Sequence, residues 1–469
     1  MKPSNEARAV PKRLLDVAAF AIVTVLTTFG AACGDNSPGK VESLVIEPSA
    51  PTLAPGDTLR FHVVATYTSG VVRPAGKVVW RSSADSIVTV DSTGLARAAF
   101  WGTTQNATIQ ATVDQQTRST RITIQPQCSN CGSWSSAAGM ANARLEYATD
   151  AVNGIVYVAG GHAGYPPCGG DVNYLDAFDP AANVWTSKAP IPSRSARVQA
   201  RAIGGLLYVI GTRLDCGDAG PPTTTSYAYD PSTNAWSVLP RMPLPGTGTG
   251  SDAFSGSVTT LGGIFYALSG TTRTLYAFDP SSGSWTVRAP SPHNDSATAV
   301  LNGRIVAFTS GSSTLEAYDP ATDTWSARAP FPRPRTGAQY LVVGQRLYVI
   351  GGWCLTTGCS HFWDLAVDVF DASANTWTSA SPLPAPAGAG LFAGVLNGLI
   401  LVGRNADYPQ VVVSAYDPIS DKWEIKSALN WTDALPTGTA FVAGGRLLVP
   451  TSSTEYHRTQ NSVTWIFTP

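Results

Sequence analysis

Histidine is scarce in this sequence, at five of 469 residues, and charge is thin, with 13% Asp, Glu, Lys or Arg and a net charge of -1. Such a balance offers no basic surface to nucleic acid and no polybasic patch to an anionic membrane. None of the five His stands at metal-ligand spacing from another His or a Cys, so neither metal nor cofactor is expected. No Gly-x-Ser-x-Gly elbow and no Gly-rich phosphate loop leading into a helix is present, and no residue is assigned a catalytic role. The uncharged apolar run Val17 to Phe29 is too short to cross a bilayer comfortably.

That run follows a basic stretch (Lys2, Arg8, Lys12, Arg13) and precedes Gly30, Ala31, Ala32 and Cys33, the order of an export signal. It resembles a bacterial lipoprotein signal, with Gly30 where that pattern usually has Leu. The resemblance implies a signal peptide over 1–32, lipid on Cys33, a tether over 33–40 and a cell-envelope location. Gly34, in place of Asp, points to the outer membrane or cell surface under the enteric sorting pattern, and the lipid is the expected membrane contact. Seven Cys leave an odd thiol, which lipidation of Cys33 explains. The other six, exported to an oxidising compartment, are expected as three disulfides: Cys128 with Cys131, Cys168 with Cys216, and Cys354 with Cys359.

What the sequence does have is many short apolar runs punctuated by 44 Gly and 34 Pro, the signature of strands joined by turns. Residues 41–125 read as a small sandwich with strands at Ser43–Glu47, Thr58–Tyr67, Lys77–Arg81, Ile87–Asp91, Asn106–Val113 and Thr120–Ile124. Alternation is clearest in Leu59-Arg60-Phe61-His62-Val63. The segments Leu53-Ala54-Pro55-Gly56-Asp57-Thr58, Trp80-Arg81-Ser82-Ser83 and Val88-Thr89-Val90-Asp91-Ser92-Thr93-Gly94 resemble the bacterial Ig-like group 2 domain, which implies a spacer or adhesive module. His62 reads as a half-exposed strand residue.

From about Gly132 onward the chain repeats itself. One unit runs apolar strand, Asn-Gly or Gly-Gly turn, Leu/Tyr/Val-rich strand, Gly, loop, Tyr/Phe-Asp, then Trp. The Asp-to-Trp step recurs at Asp179/Trp185, Asp230/Trp236, Asp279/Trp285, Asp319/Trp325, Asp371/Trp377 and Asp417/Trp423. Hairpin turns recur at Asn153-Gly154, Gly204-Gly205, Gly262-Gly263, Asn302-Gly303, Gly344, Asn397-Gly398 and Gly444-Gly445, which makes seven units. Asp opens the next turn by accepting backbone N–H bonds, so the repeated carboxylates are turn caps and not a functional ring. The seventh unit lacks a Trp strand after Val463–Pro469, and Ser133–Ala138 supplies one at the front, which would zip the ring shut.

Tyr157-Val158-Ala159-Gly160-Gly161, Leu347-Tyr348-Val349-Ile350-Gly351-Gly352, the Asp/Trp segments, and Arg144, Arg194 and Arg335 ahead of the first strands resemble the kelch repeat. The expected fold is therefore all-β: a seven-bladed kelch-type β-propeller over 126–469, preceded by a small Ig-like β-sandwich. The connections between second and third strands are long in blades one, two and five. They carry His162, Tyr165, Asp171, Arg213, Asp215, Trp353, His361 and Trp363, with His457 in the last blade. Long loops on a rigid scaffold favour recognition of a glycan, peptide or protein partner. A carbohydrate-active enzyme of the kelch propeller type, a sugar oxidase or sialic acid epimerase, is the alternative that the resemblance leaves open.

Overall fold

The computed structural model describes residues 39–468, apart from 55–56, 100–103, 126–131, 138, 141, 143, 145–146, 163–171, 195, 214–222, 245–253, 296, 355–363, 385–390, 408–409, 431–439 and 456–457. Its regular elements are all strands.

Residues Val41–Ile124 form an Ig-like unit. Val41–Glu47, His62–Tyr67 and Val72–Pro74 make one sheet, and Thr52–Leu53, Gln116–Ile124, Gln105–Val113 and Val79–Ser82 another. Phe61, Val63, Ala65, Ile109, Ile122 and Ile124 fill the space between them. The expected strand Thr58–Tyr67 is in fact two. Thr58–Arg60 pairs with Leu95–Ala98, whereas His62–Tyr67 pairs with Val41–Glu47. Phe61 makes the switch, its N–H donating to Gly94 O at 2.8 Å while its ring packs on Trp80. An alternating pattern is blind to such a change of partner, because side chains keep alternating across the break.

Seven four-stranded antiparallel sheets follow, each in simple meander order except the one that closes the ring. The inner strands are Ala148–Val152, Ala196–Ile203, Gly256–Leu261, Ala297–Leu301, Gln339–Val343, Leu391–Leu396 and Phe441–Ala443. Each contacts the next, and Phe441–Ala443 returns to Ala148–Val152, so the blades form a closed ring. Closure follows the expected route: Ser133–Ala137 pairs antiparallel with Arg458–Thr468, Trp134 opposite Phe467.

The repeat residues do the work their chemistry suggests. Asn153 and Gly154, like Gly262 and Gly263, take the positive φ that a tight two-residue hairpin needs. Asp179, Asp230, Asp279, Asp319, Asp371 and Asp417 each accept the backbone N–H two residues on, at 2.8–3.0 Å. The Trp indoles stitch blade to blade. Trp236, Trp325, Trp377 and Trp423 each donate at 2.8 Å to a carbonyl just past the previous blade's outer strand, at Ala189, Ala289, Ala329 and Ser381. Across the closure Trp185 instead reaches Thr464 Oγ1 at 3.2 Å.

Two departures concern the connections. In blade six the second and third strands run on as Leu399–Asp407 and Gln410–Asp417, and in blade seven as Arg446–Glu455 and Arg458–Thr468. There the chain extends the blade as hairpins rather than loops. Gly403, standing alone where blades one and five have a glycine pair, leaves room for the ring of Phe392, whose Cζ lies 1.9 Å from where a Cβ would be.

Candidate functional site

In each blade the connection between second and third strands emerges at the same end as the link to the next blade, here called the loop end. Each of blades one to six has one telling position in its third strand, three residues before the turn Asp. It holds Asp176, Tyr227, Tyr276, Glu316, Asp368 and Ser414 in blades one to six. Where it is acidic, a basic side chain from the incoming connection meets it.

In blade one, Arg144 lies wholly buried beside Asp176. Its guanidinium also donates to Gly160 O at 2.7 Å, to Val158 O at 2.9 Å and to Asn142 O at 2.9 Å. In blade five, Arg335 repeats the pattern, donating to Asp368 Oδ2 at 2.7 Å, Ala366 O at 2.8 Å and Val349 O at 3.1 Å. Asp364 lies 3.5 Å from the same guanidinium, and Arg333 clamps the other oxygen of Asp368. Burial pushes the Arg335 pKa down, and the Asp368 and Asp364 charges oppose that shift. Arg333 is raised by its hydrogen bond to Asp368. These are the blades with Gly-Gly after the second strand. Gly352, at φ +95°, has no room for a Cβ, which would sit 2.8 Å from Ala338 N. Arginine, with five donors in a planar fork, ties strand, glycine turn and carboxylate together in one contact. Arg194 of blade two stands exposed instead.

In blade four, His293 takes the arginine's place, with Nδ1 3.1 Å from Glu316 Oε1. Asp295 is buried beside it and accepts from Ser291 Oγ at 2.6 Å. Blades three and six hold neutral residues at the telling position, and the hydroxyls of Tyr276 and Ser414 are buried there without a hydrogen-bond partner.

Among the described residues, two large aromatic side chains are exposed at this end. Tyr174 of blade one is 38% exposed, with the Arg144 guanidinium 5.8 Å from its ring centroid. Trp353 of blade five is 42% exposed and lies on a two-residue strand that pairs with Arg335–Thr336. Nearer the ring axis, Tyr147 is pushed up to about 12 by burial. Asp150 accepts the Ala202 N–H at 2.8 Å, fastening blade one to blade two along the inner edge. Arg201 is held below its ordinary value by desolvation, with Asp150 opposing.

Of the residues expected from sequence, His162 is half-buried, Trp353 is exposed, and Arg213 ends a strand paired with Thr223. Cys354 pairs through its backbone with Arg335. Tyr165, Asp171, Asp215, His361, Trp363 and His457 lie outside the described residues, as do Cys33, Cys128, Cys131, Cys168, Cys216 and Cys359. Asp176, Asp368, Glu316, Asp295 and Tyr174 were not singled out from sequence. The signal that finds Asp176, Glu316 and Asp368 is an acidic residue three before the turn Asp, read together with a basic residue four before the inner strand.

Comparison with known proteins agrees with this architecture. Residues 40–124 match the family model of the bacterial Ig-like domain (group 2), and residues 143–192 match the Kelch motif. Kelch-like ECH-associated protein 1A of Danio rerio is 29% identical over 109 residues, covering 23% of this chain and 17% of that protein. Kelch-like protein 35 of Mus musculus is 28% identical over 117 residues, covering 25% and 19%. Beta-scruin of Limulus polyphemus is 27% identical over 115 residues, covering 24% and 12%. The chain thus spans less than a fifth of the length of each of these relatives. Among solved structures, that of YjhT aligns with 69% of this chain and 95% of its own, at 16% identity and a TM-score of 0.39.

Proposed function

We propose that this chain, a group 2 bacterial Ig-like domain followed by a kelch-repeat propeller, is an exported recognition protein of the cell envelope whose loop end binds a glycan, peptide or protein partner. The observation that carries the reading is the exposure of Tyr174 and Trp353 on backbone fastened by buried Arg clasps. Aromatic side chains with few rotatable bonds on a pre-fastened surface lose little entropy when a ligand covers them. Blades one and five stand across the ring from each other, so the two rings suit an extended ligand lying over the mouth. In this reading Cys33 carries the lipid, residues 33–40 tether it, and the Ig-like domain acts as spacer.

The test is a glycan and peptide array probed with the full chain and with a Trp353→Ala/Tyr174→Ala variant. Saturable binding that falls at least tenfold in the variant, with its unfolding midpoint unchanged, is the expected result. Equal binding by both proteins would place the contact elsewhere, and turnover of a bound sugar would replace recognition by catalysis. Release of the chain from membranes in a Cys33→Ser variant checks the anchor.

A further inference from the structure

The three clasps at the loop end are equivalent by register. Arg144, His293 and Arg335 each stand four residues before their inner strand, and Asp176, Glu316 and Asp368 share one place in the third strand. In blades one and five the cation is permanent, since a guanidinium stays protonated at any physiological pH. In blade four it is an imidazole, a cation that is not permanent. Blade four also adds a second buried acid: Asp295 falls where blade five has Gly337. Its Oδ1 is buried with no hydrogen-bond partner.

We propose that His293, Glu316 and Asp295 form a pH-operated latch, closed in mild acid and released toward alkaline pH, which sets the order of the connection Ser291–Asp295 at the loop end. The charges do not balance as they do elsewhere. Blade five sets Arg333 and Arg335 against Asp364 and Asp368, and blade one sets Arg144 against Asp176. Blade four has two buried carboxyls and one half-exposed imidazole. From the neighbouring elements, Arg273 of blade three donates to Pro292 O at 3.2 Å and is turned to that carbonyl. Arg335 of blade five meets blade four through its own backbone O, which accepts the Gly311 N–H, while its guanidinium is occupied by Asp364 and Asp368.

Both carboxyls act in the same direction. Burial lifts both Asp295 and Glu316 above the usual carboxylate range, and the Asp295 charge raises Glu316 further. A carboxyl raised by folding favours the folded state while protonated, and that contribution is lost as pH climbs through its folded value. The imidazole, 3.1 Å from Glu316, is not the permanent cation that the arginines of blades one and five supply to their carboxylates. As pH rises the site comes to hold buried carboxylates with no permanent cation, and local opening relieves them by giving them water.

Hydrogen–deuterium exchange of the full chain at pH 6 and pH 8, corrected for intrinsic exchange, reads the latch at the amides of His293 and Asp295. These donate to Ser291 Oγ and to His293 O. Protection is expected to fall about tenfold at pH 8, equivalent to about 1.4 kcal/mol lost from the closed connection. The Arg335–Ala338 connection of blade five should stay level. His293→Arg, which restores a permanent cation, should hold protection high at both pH values, and His293→Gln should hold it low at both. A pH-independent wild type, or a His293→Arg variant that keeps the wild-type pH dependence, would overturn the proposal. If His293→Gln does not fold, those two proteins decide it.

Discussion

At the scale of single residues, burial separates ion pairs that matter from those that do not. Asp368 is buried between Arg333 and Arg335, whereas Arg346 and Asp371 meet in the open, 3.4 Å apart at side chains 53% and 33% exposed. Removing one partner of a buried pair strands the other's charge away from water, at a cost of about 3–5 kcal/mol, while an exposed pair contributes less than about 1 kcal/mol. Asp368→Asn is therefore expected to destabilise by about 3–5 kcal/mol and Arg346→Ala by well under 1, as read from denaturant unfolding at neutral pH. Equal losses would contradict this assignment. The turn Asp residues and the Asn-Gly pairs were legible in the sequence because their partners lie two or three positions away and the spacing itself is the evidence. The Arg144–Asp176 contact was not, because its partners are 32 positions apart and meet through strand register alone. Blade four was harder still: His293 looks like an isolated histidine until Glu316 is placed opposite.

Among elements, the blade was legible and its margins were not. The period of Asp and Trp, the hairpin turns and the closing strand follow from chemistry that each unit repeats. Missed were the break at Phe61 and the hairpin extensions of blades six and seven, where one apolar or polar run serves two partners or outlasts the repeat. The indole stitch offers a clean check on how blades cohere. Trp377 packs on Phe331 and Phe370 and donates to Ala329 O of the preceding blade. Trp377→Phe keeps an aromatic ring but strands that carbonyl, and a loss of roughly 1–2 kcal/mol is expected. An unchanged thermal midpoint would show that the indole N–H is replaced by water at no cost.

For the whole molecule, the decisive joint is the one between the strand that enters the ring and the strand that finishes it. Gly132, at φ +67°, lets the chain turn into that joint, and a Cβ there would lie 2.5 Å from Phe467 Cζ and 2.6 Å from Thr468 O. Gly132→Ala is expected to cost about 2 kcal/mol or more and to split the calorimetric transition into ring opening and blade melting. A single transition at the parent temperature would mean that the last blade stands without its borrowed strand. The joint also has a consequence for biogenesis. In a chain made from its first residue onward, Ser133–Ala137 appears early and its mate Arg458–Thr468 follows more than three hundred residues later. At ordinary elongation rates that interval is on the order of tens of seconds. Throughout it the early strand has an unsatisfied edge, open to pairing with another copy or capture by a chaperone. The ring therefore behaves as a full-length checkpoint: a chain cut short before Arg458 has every earlier blade and no means of locking them.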